Sequence, residues 1–83
     1  MNEQRLLSDI AYEIKRDWKN VYFGAVPYLN AMCSMDSITD MYGQDSGSGI
    51  VAYFLGNATT WRGETARRVK KELNDMLKAS RKR

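Results

Sequence analysis

Histidine is absent from this 83-residue chain, and cysteine occurs once, at Cys33. A zinc site built on imidazole and thiolate ligands, or a Ser/His or Cys/His nucleophile system, therefore cannot be assembled from one copy. Nor can a single cysteine supply a disulfide framework, so stability must come from close helix packing or from pairing of the chain with itself. Cys33 falls on an apolar helical face and reads as a small buried hydrophobe rather than a nucleophile. Proline also occurs once, at Pro27. The longest apolar run, Ile50 to Leu55, is far below the ~20 residues needed to span a bilayer, so no membrane association is expected. The opening residues MNEQRLLSDI are charged and amphipathic, unlike the basic-then-apolar order of a secretory leader. With the lone cysteine, this predicts a cytoplasmic protein.

What is present suits a single small domain, expected over residues 1–78 with 79–83 as a frayed basic tail. Net charge is +3, but residues 1–61 carry four basic and seven acidic side chains while 62–83 carry nine and three. That asymmetry points to a positive patch able to steer a partner.

The spacing of apolar groups predicts an all-α fold, a small bundle of four main helices plus a short helical turn. Leu6, Leu7, Ile10, Ile14, Trp18 and Val21 recur at intervals of three and four, giving a first helix from about Glu3 to Val21. Tyr22, Phe23 and Gly24 end it, and Pro27 suits the first turn of a second helix with Leu29, Met32 and Cys33 inward. Ser34, Asp36 and Ser37 weaken helical propensity, so a break is expected before a helical turn carrying Ile38, Met41 and Tyr42 and stopped by Gly43. Asp45 or Ser46 can cap a third helix, apolar nearly all round and near 48–57. It is expected to be central, sandwiched by the first and last helices, with Gly49, Ala52 and Gly56 as a smooth ridge for close packing. The last helix starts between Thr60 and Glu64, with Ala66, Val69, Leu73, Met76 and Leu77 on one face and Arg67, Arg68, Lys70, Lys71 and Lys78 on the other. Glu64 with Arg68 and Lys71 with Asp75 form i,i+4 pairs worth ~0.2–0.5 kcal/mol each.

Few constellations carry chemistry. Asp9, Glu13 and Asp17 form a carboxylate ladder on the first helix, and Asp36 and Asp40 repeat the spacing. Such ladders can hold Mg²⁺, but a solvated face is favoured, with a third reading in which the ladder faces the basic last helix. No metal or cofactor is expected. Gly47, Gly49 and Ala52 have the spacing of a dinucleotide-binding turn without the preceding strand that makes it work. A helix-turn-helix reading places Asn57, Arg62 and Thr65 where that motif buries apolar groups. Nucleic-acid contact remains open through a basic face: Arg62, Arg67, Lys71 and Lys78 on phosphates, Trp61 stacking on a base, and Arg81, Lys82 and Arg83 as an arm. Trp61, Arg62 and Glu64, with Arg67 nearby, also have the composition of a partner-binding hot spot. Against that, Trp61 can pack over the third helix while Thr59 or Thr60 caps the last.

The runs DSGSGIVAYFLGNATTWRGETARRVKKEL and DWKNVYFGAVPYL resemble small uncharacterised proteins encoded in prophages and mobile genetic elements of Gram-positive bacteria, over about Leu6 to Leu77. The resemblance implies a phage or mobile-element context, hence the cytoplasm of a bacterial host cell, and no particular activity. The expectation is a non-enzymatic helical binding protein. It acts through a protein partner or homo-oligomer and uses Trp61, Arg62, Glu64 and Arg67, with nucleic-acid binding by the last helix and tail as the alternative.

Overall fold

The computed structural model describes residues 5–81, and it is largely all-α. Helix α1 spans Leu7–Asp17 and buries Leu7, Ile10, Ala11 and Ile14, the stripe its spacing predicts. Its first N–H groups have no side-chain cap; those of Leu7 and Ser8 donate to the carbonyls of Asp36 and Met35 at 3.0 and 2.9 Å. The helix is shorter than its apolar periodicity suggests. Trp18 turns to φ −94°, ψ 91° and so leaves the helix to join an aromatic cluster, while Leu6 lies exposed before the first turn. Tertiary packing has overridden local pattern here; Glu3 lies outside the described residues.

A 3₁₀ turn at Phe23–Ala25 leads into α2, Val26–Cys33, with Pro27 in its first turn as expected. Leu29, Ala31 and Met32 face the core, and Cys33 is half-buried. The helical turn expected at Ile38 to Tyr42 is instead a two-residue hairpin. Strand β1, Met41–Tyr42, pairs antiparallel with β2, Asp45–Ser46, with Met41 opposite Ser46 and Tyr42 opposite Asp45, and Gly43 lies in the turn. The cause is local: Asp40 Oδ2 accepts the N–H groups of Asp36 and Ser37, each at 3.0 Å, and so diverts the backbone from helical pairing.

Ser46 caps α3, Gly47–Gly56, by accepting the Gly49 N–H at 3.1 Å. The close backbone approach in this helix is at Gly47, not along the expected ridge. A Cβ on Gly47 would sit 2.7 Å from the Ile38 carbonyl oxygen, whereas one on Gly56 would meet nothing within 4 Å. Helix α4, Glu64–Arg81, buries Ala66, Val69, Leu73, Met76 and Leu77 and stays helical through Arg81, beyond the fraying point expected at Ala79.

The four helices form a closed ring in which α1 packs on α2 and α4, and α3 packs mainly on α2 and α4. Helix α3 is therefore not sandwiched by the first and last helices. Ile50, Val51 and Phe54 face the core, but Ala52, Tyr53 and Gly56 face out. No helix among the described residues is long and apolar enough to cross a membrane.

Candidate functional site

Trp61 stands at the centre of the molecule rather than on its surface. It is 2% exposed, stacks on Trp18 with ring centroids 5.7 Å apart and planes 11° from parallel, and meets Phe54 edge-on at 6.5 Å. Phe54 in turn meets Trp18 at 6.2 Å, closing a triangle that ties the end of α1, α3 and the turn before α4. The polar atoms of Trp61 are satisfied: its Nε1–H donates to Asp17 Oδ2 at 2.8 Å, and its carbonyl accepts from Lys70 Nζ at 2.7 Å. The ring has no surface to offer, so the expectation of a partner-binding surface centred on Trp61 is corrected in that respect. Its reading as a packing residue over the third helix holds. Thr59 and Thr60 are exposed and lie too early to cap a helix that begins at Glu64.

The carboxylate ladder of α1 is divided by this packing. Glu13 faces α4, where Arg68 Nη2 donates to its Oε2, and Arg5 Nη1 lies 2.9 Å from its Oε1 in a charge contact outside hydrogen-bond alignment. Arg5 also grips Glu72 of α4 with both arms of its fork, at 3.0 and 2.6 Å. Burial by itself would raise the Glu13 pKa, but the contacts from Arg68 and Arg5 outweigh it and hold the carboxyl below its ordinary value. The hydrogen bonds to Glu72 raise Arg5, so it stays protonated throughout. Arg68, expected to pair with Glu64, is committed to this clamp instead. Beside it Glu13, Arg16, Asp17 and Thr65 line an open groove of about 210 Å³, below the roughly 300–1,000 Å³ of small-molecule pockets. Lys70, assigned to the outer face by its position, bends inward over the Trp61 ring at 5.8 Å; burial, with the nearby charge of Arg62, lowers its pKa.

The remaining predicted residues are exposed. Arg62 and Glu64 flank Gly63 at the start of α4, and Arg67, Lys71 and Lys78 share its outward stripe. Lys71 pairs with Asp75 at 3.0 Å, and Glu64 and Asp75 interrupt the basic run. The Arg81 side chain, Lys82 and Arg83 lie outside the described residues.

Opposite this charged side, α2 and α3 build a surface of another kind. Residues 21–35 and 46–61 contain no Asp, Glu, Lys or Arg. Phe23 is 79% exposed and Tyr53 58%, with Tyr22 and Val26 also open to solvent. The rings of Tyr22 and Phe23 are 4.8 Å apart, and Gly24 passes between the Tyr22 ring and the Asn57 side chain. Asn57 Nδ2 donates to the Tyr53 carbonyl at 2.9 Å, and Tyr53 packs on Tyr28 at 5.5 Å.

No family model, curated protein or solved structure matches the chain. Sequence reasoning missed the aromatic face because it assigned Tyr22 and Phe23 to a helix end and Tyr53 to a buried helix. The legible signal was two charge-free stretches too rich in aromatics for every ring to fit inside so small a core.

Proposed function

We propose that this chain is a non-enzymatic binding protein that engages a protein partner or a second copy of itself through the charge-free α2–α3 face. One observation carries the reading: Tyr22, Phe23 and Tyr53 are exposed aromatic rings, and all three lie in the two charge-free stretches that include α2 and α3. Protein interfaces concentrate aromatics and exclude charge at their centres, and contiguous exposed apolar patches mark interaction sites. Trp61 supports this surface from behind by fixing α3 through Phe54. The sequence resemblance is consistent with a phage or mobile-element setting, where a small binding protein acts on host or phage macromolecules. Placing a photoreactive benzoyl-phenylalanine at position 23 or 53 and irradiating living cells tests the reading. A discrete protein adduct is expected from both positions and not from position 71; absence of any adduct at 23 and 53 overturns it.

A second reading has its own observation. Arg67 and Lys78 point outward from α4 and make no ion pair among the described residues, so they are available to phosphates of a nucleic acid. Binding to unrelated DNA and RNA that weakens steeply with salt, and falls further with Arg67→Glu and Lys71→Glu, would support it. No binding at low salt removes it.

A further inference from the structure

We infer that residues 36–46 form a latch that opens as one unit, with Asp40 as its pivot, and that its opening releases the starts of α1 and α3 together.

The dependence begins at α1. A helix leaves its first N–H groups without intrahelical partners, and Leu6, at the cap position, supplies no side-chain acceptor. The Leu7 and Ser8 N–H groups donate instead to the main-chain carbonyls of Asp36 and Met35, at 3.0 and 2.9 Å. Those carbonyls belong to the turn that follows α2, so α1 is capped by a segment distant in sequence. Its start keeps its partners only while that turn keeps its shape.

Asp40 sets the shape. Its Oδ2 accepts the N–H groups of Asp36 and Ser37, each at 3.0 Å, and its own N–H donates to the Ser37 carbonyl at 3.0 Å. A carboxylate oxygen accepting main-chain N–H groups makes stronger bonds than a neutral acceptor does. On the other side, the Asp40 carbonyl accepts the N–H of Gly47, the first residue of α3, at 2.7 Å. Gly47 lies close against the Ile38 main chain, where a Cβ would sit 2.7 Å from the carbonyl oxygen. Ser46 continues the connection: it pairs with Met41 in the hairpin and caps α3 through the Gly49 N–H. One residue therefore joins the turn that caps α1, through its side chain, to the first turn of α3, through its main chain.

Two properties make this segment a device rather than a fixed corner. Each hydrogen bond holds the geometry that the next one needs, so the set is lost together. Between residues 36 and 46 only Ile38 is buried, while Met41 and Tyr42 are exposed at the hairpin. A segment with so little core contact opens at lower free energy than the helices it caps.

Amide hydrogen exchange of the full-length chain, followed residue by residue in a urea series, tests the inference. In the wild type, the N–H groups of Leu7, Ser8, Asp36, Ser37 and Gly47 should share one opening, with protection agreeing within about threefold and a common urea dependence shallower than that of Val69 and Leu73 in the buried stripe of α4. Asp40→Ala should speed exchange at all five by at least ~tenfold more than at Val69 and Leu73, the change that follows loss of hydrogen bonds to a charged oxygen. Asp40→Asn retains an acceptor oxygen and should bring all five back toward wild type together. A urea dependence for Leu7 and Ser8 that differs from that of Gly47 overturns the inference. So does an Asp40→Ala variant in which Asp36 and Ser37 accelerate while Leu7, Ser8 or Gly47 only keeps pace with α4. The wild-type urea series decides the matter even if Asp40→Ala fails to fold.

Discussion

The α1–α4 side and the α2–α3 side of this small ring are held and finished by different physics. Across α1 and α4, amphipathic stripes meet in the core and a ring of ions closes the seam, with Arg5 bridging Glu13 and Glu72 and Arg68 closing on Glu13. Across α2 and α3 there are no charges to arrange, and the contact is made by Leu29, Met32, Ile50, Val51 and the Tyr28–Tyr53 pair. The first side is closed by ion pairs within the chain, among Arg5, Glu13, Arg68 and Glu72. The second buries what it can and leaves rings in water. Ion pairs can finish an exposed seam because charge tolerates solvent, while an aromatic surface is finished only by another surface.

Both sides depend on Trp61, which joins the end of α1, α3 and the turn before α4. Trp61→Ala opens the triangle with Trp18 and Phe54 and strands the Asp17 and Lys70 contacts. It should destabilise the chain by about 3–5 kcal/mol, read as a lower urea midpoint or outright loss of cooperative unfolding.

Glu13→Gln strikes the charged side alone. With its side chain 19% exposed, its contribution falls between surface and buried pairs, about 1–2 kcal/mol, or roughly 4–8 °C in Tm per kcal/mol for a domain of this size. Because the folded-state pKa of Glu13 is depressed, its stabilisation is present above the unfolded carboxylate pKa and lost as pH falls through the folded one. Acid titration of thermal stability should therefore show wild type losing more than Glu13→Gln in that window. Equal losses would show that the clamp carries no pH-dependent stability.

Substitution on the other side should dissociate stability from association. Phe23→Ser, at a ring 79% exposed, should change folding stability by less than about 0.5 kcal/mol yet suppress adducts at position 53. A large drop in Tm would mean that the aromatic face is part of the fold. The smallest effect is expected from Lys71→Ala, which removes only the solvent-facing pair with Asp75; its denaturation curve should overlay the wild type.

The helical class was legible from the periodicity of Leu7 to Ile14 and of Ala66 to Leu77, because a one-sided apolar stripe at helical spacing has few other ways to be buried. Ser46 was legible as a cap and Pro27 as a first-turn residue for equally local reasons. Misreadings arose where a distant group intervened. Trp18 left α1 for Trp61; Asp40 drew the backbone into turns ahead of a hairpin; Arg68 left its helical neighbour Glu64 for Glu13. For the binding surface, Arg67, Lys71 and Lys78 of α4 were read correctly as exposed, whereas Lys70 turns inward and Trp61 was placed on the surface side of a junction it holds from within.

Sequence alone determined that this chain is helical, that its cations gather at both ends and avoid residues 20–61, and that histidine and paired-cysteine chemistry is closed to a single copy. Those properties follow from residue type and spacing, which act over one or two helical turns. Only the tertiary structure decided which of two aromatics is hidden, Trp61 or Tyr53, and which face of α3 is left open. Both lie in the same charge-free stretch; their fates differ because burial depends on what α1, α2 and α4 bring against each side of that stretch, and no local pattern encodes it.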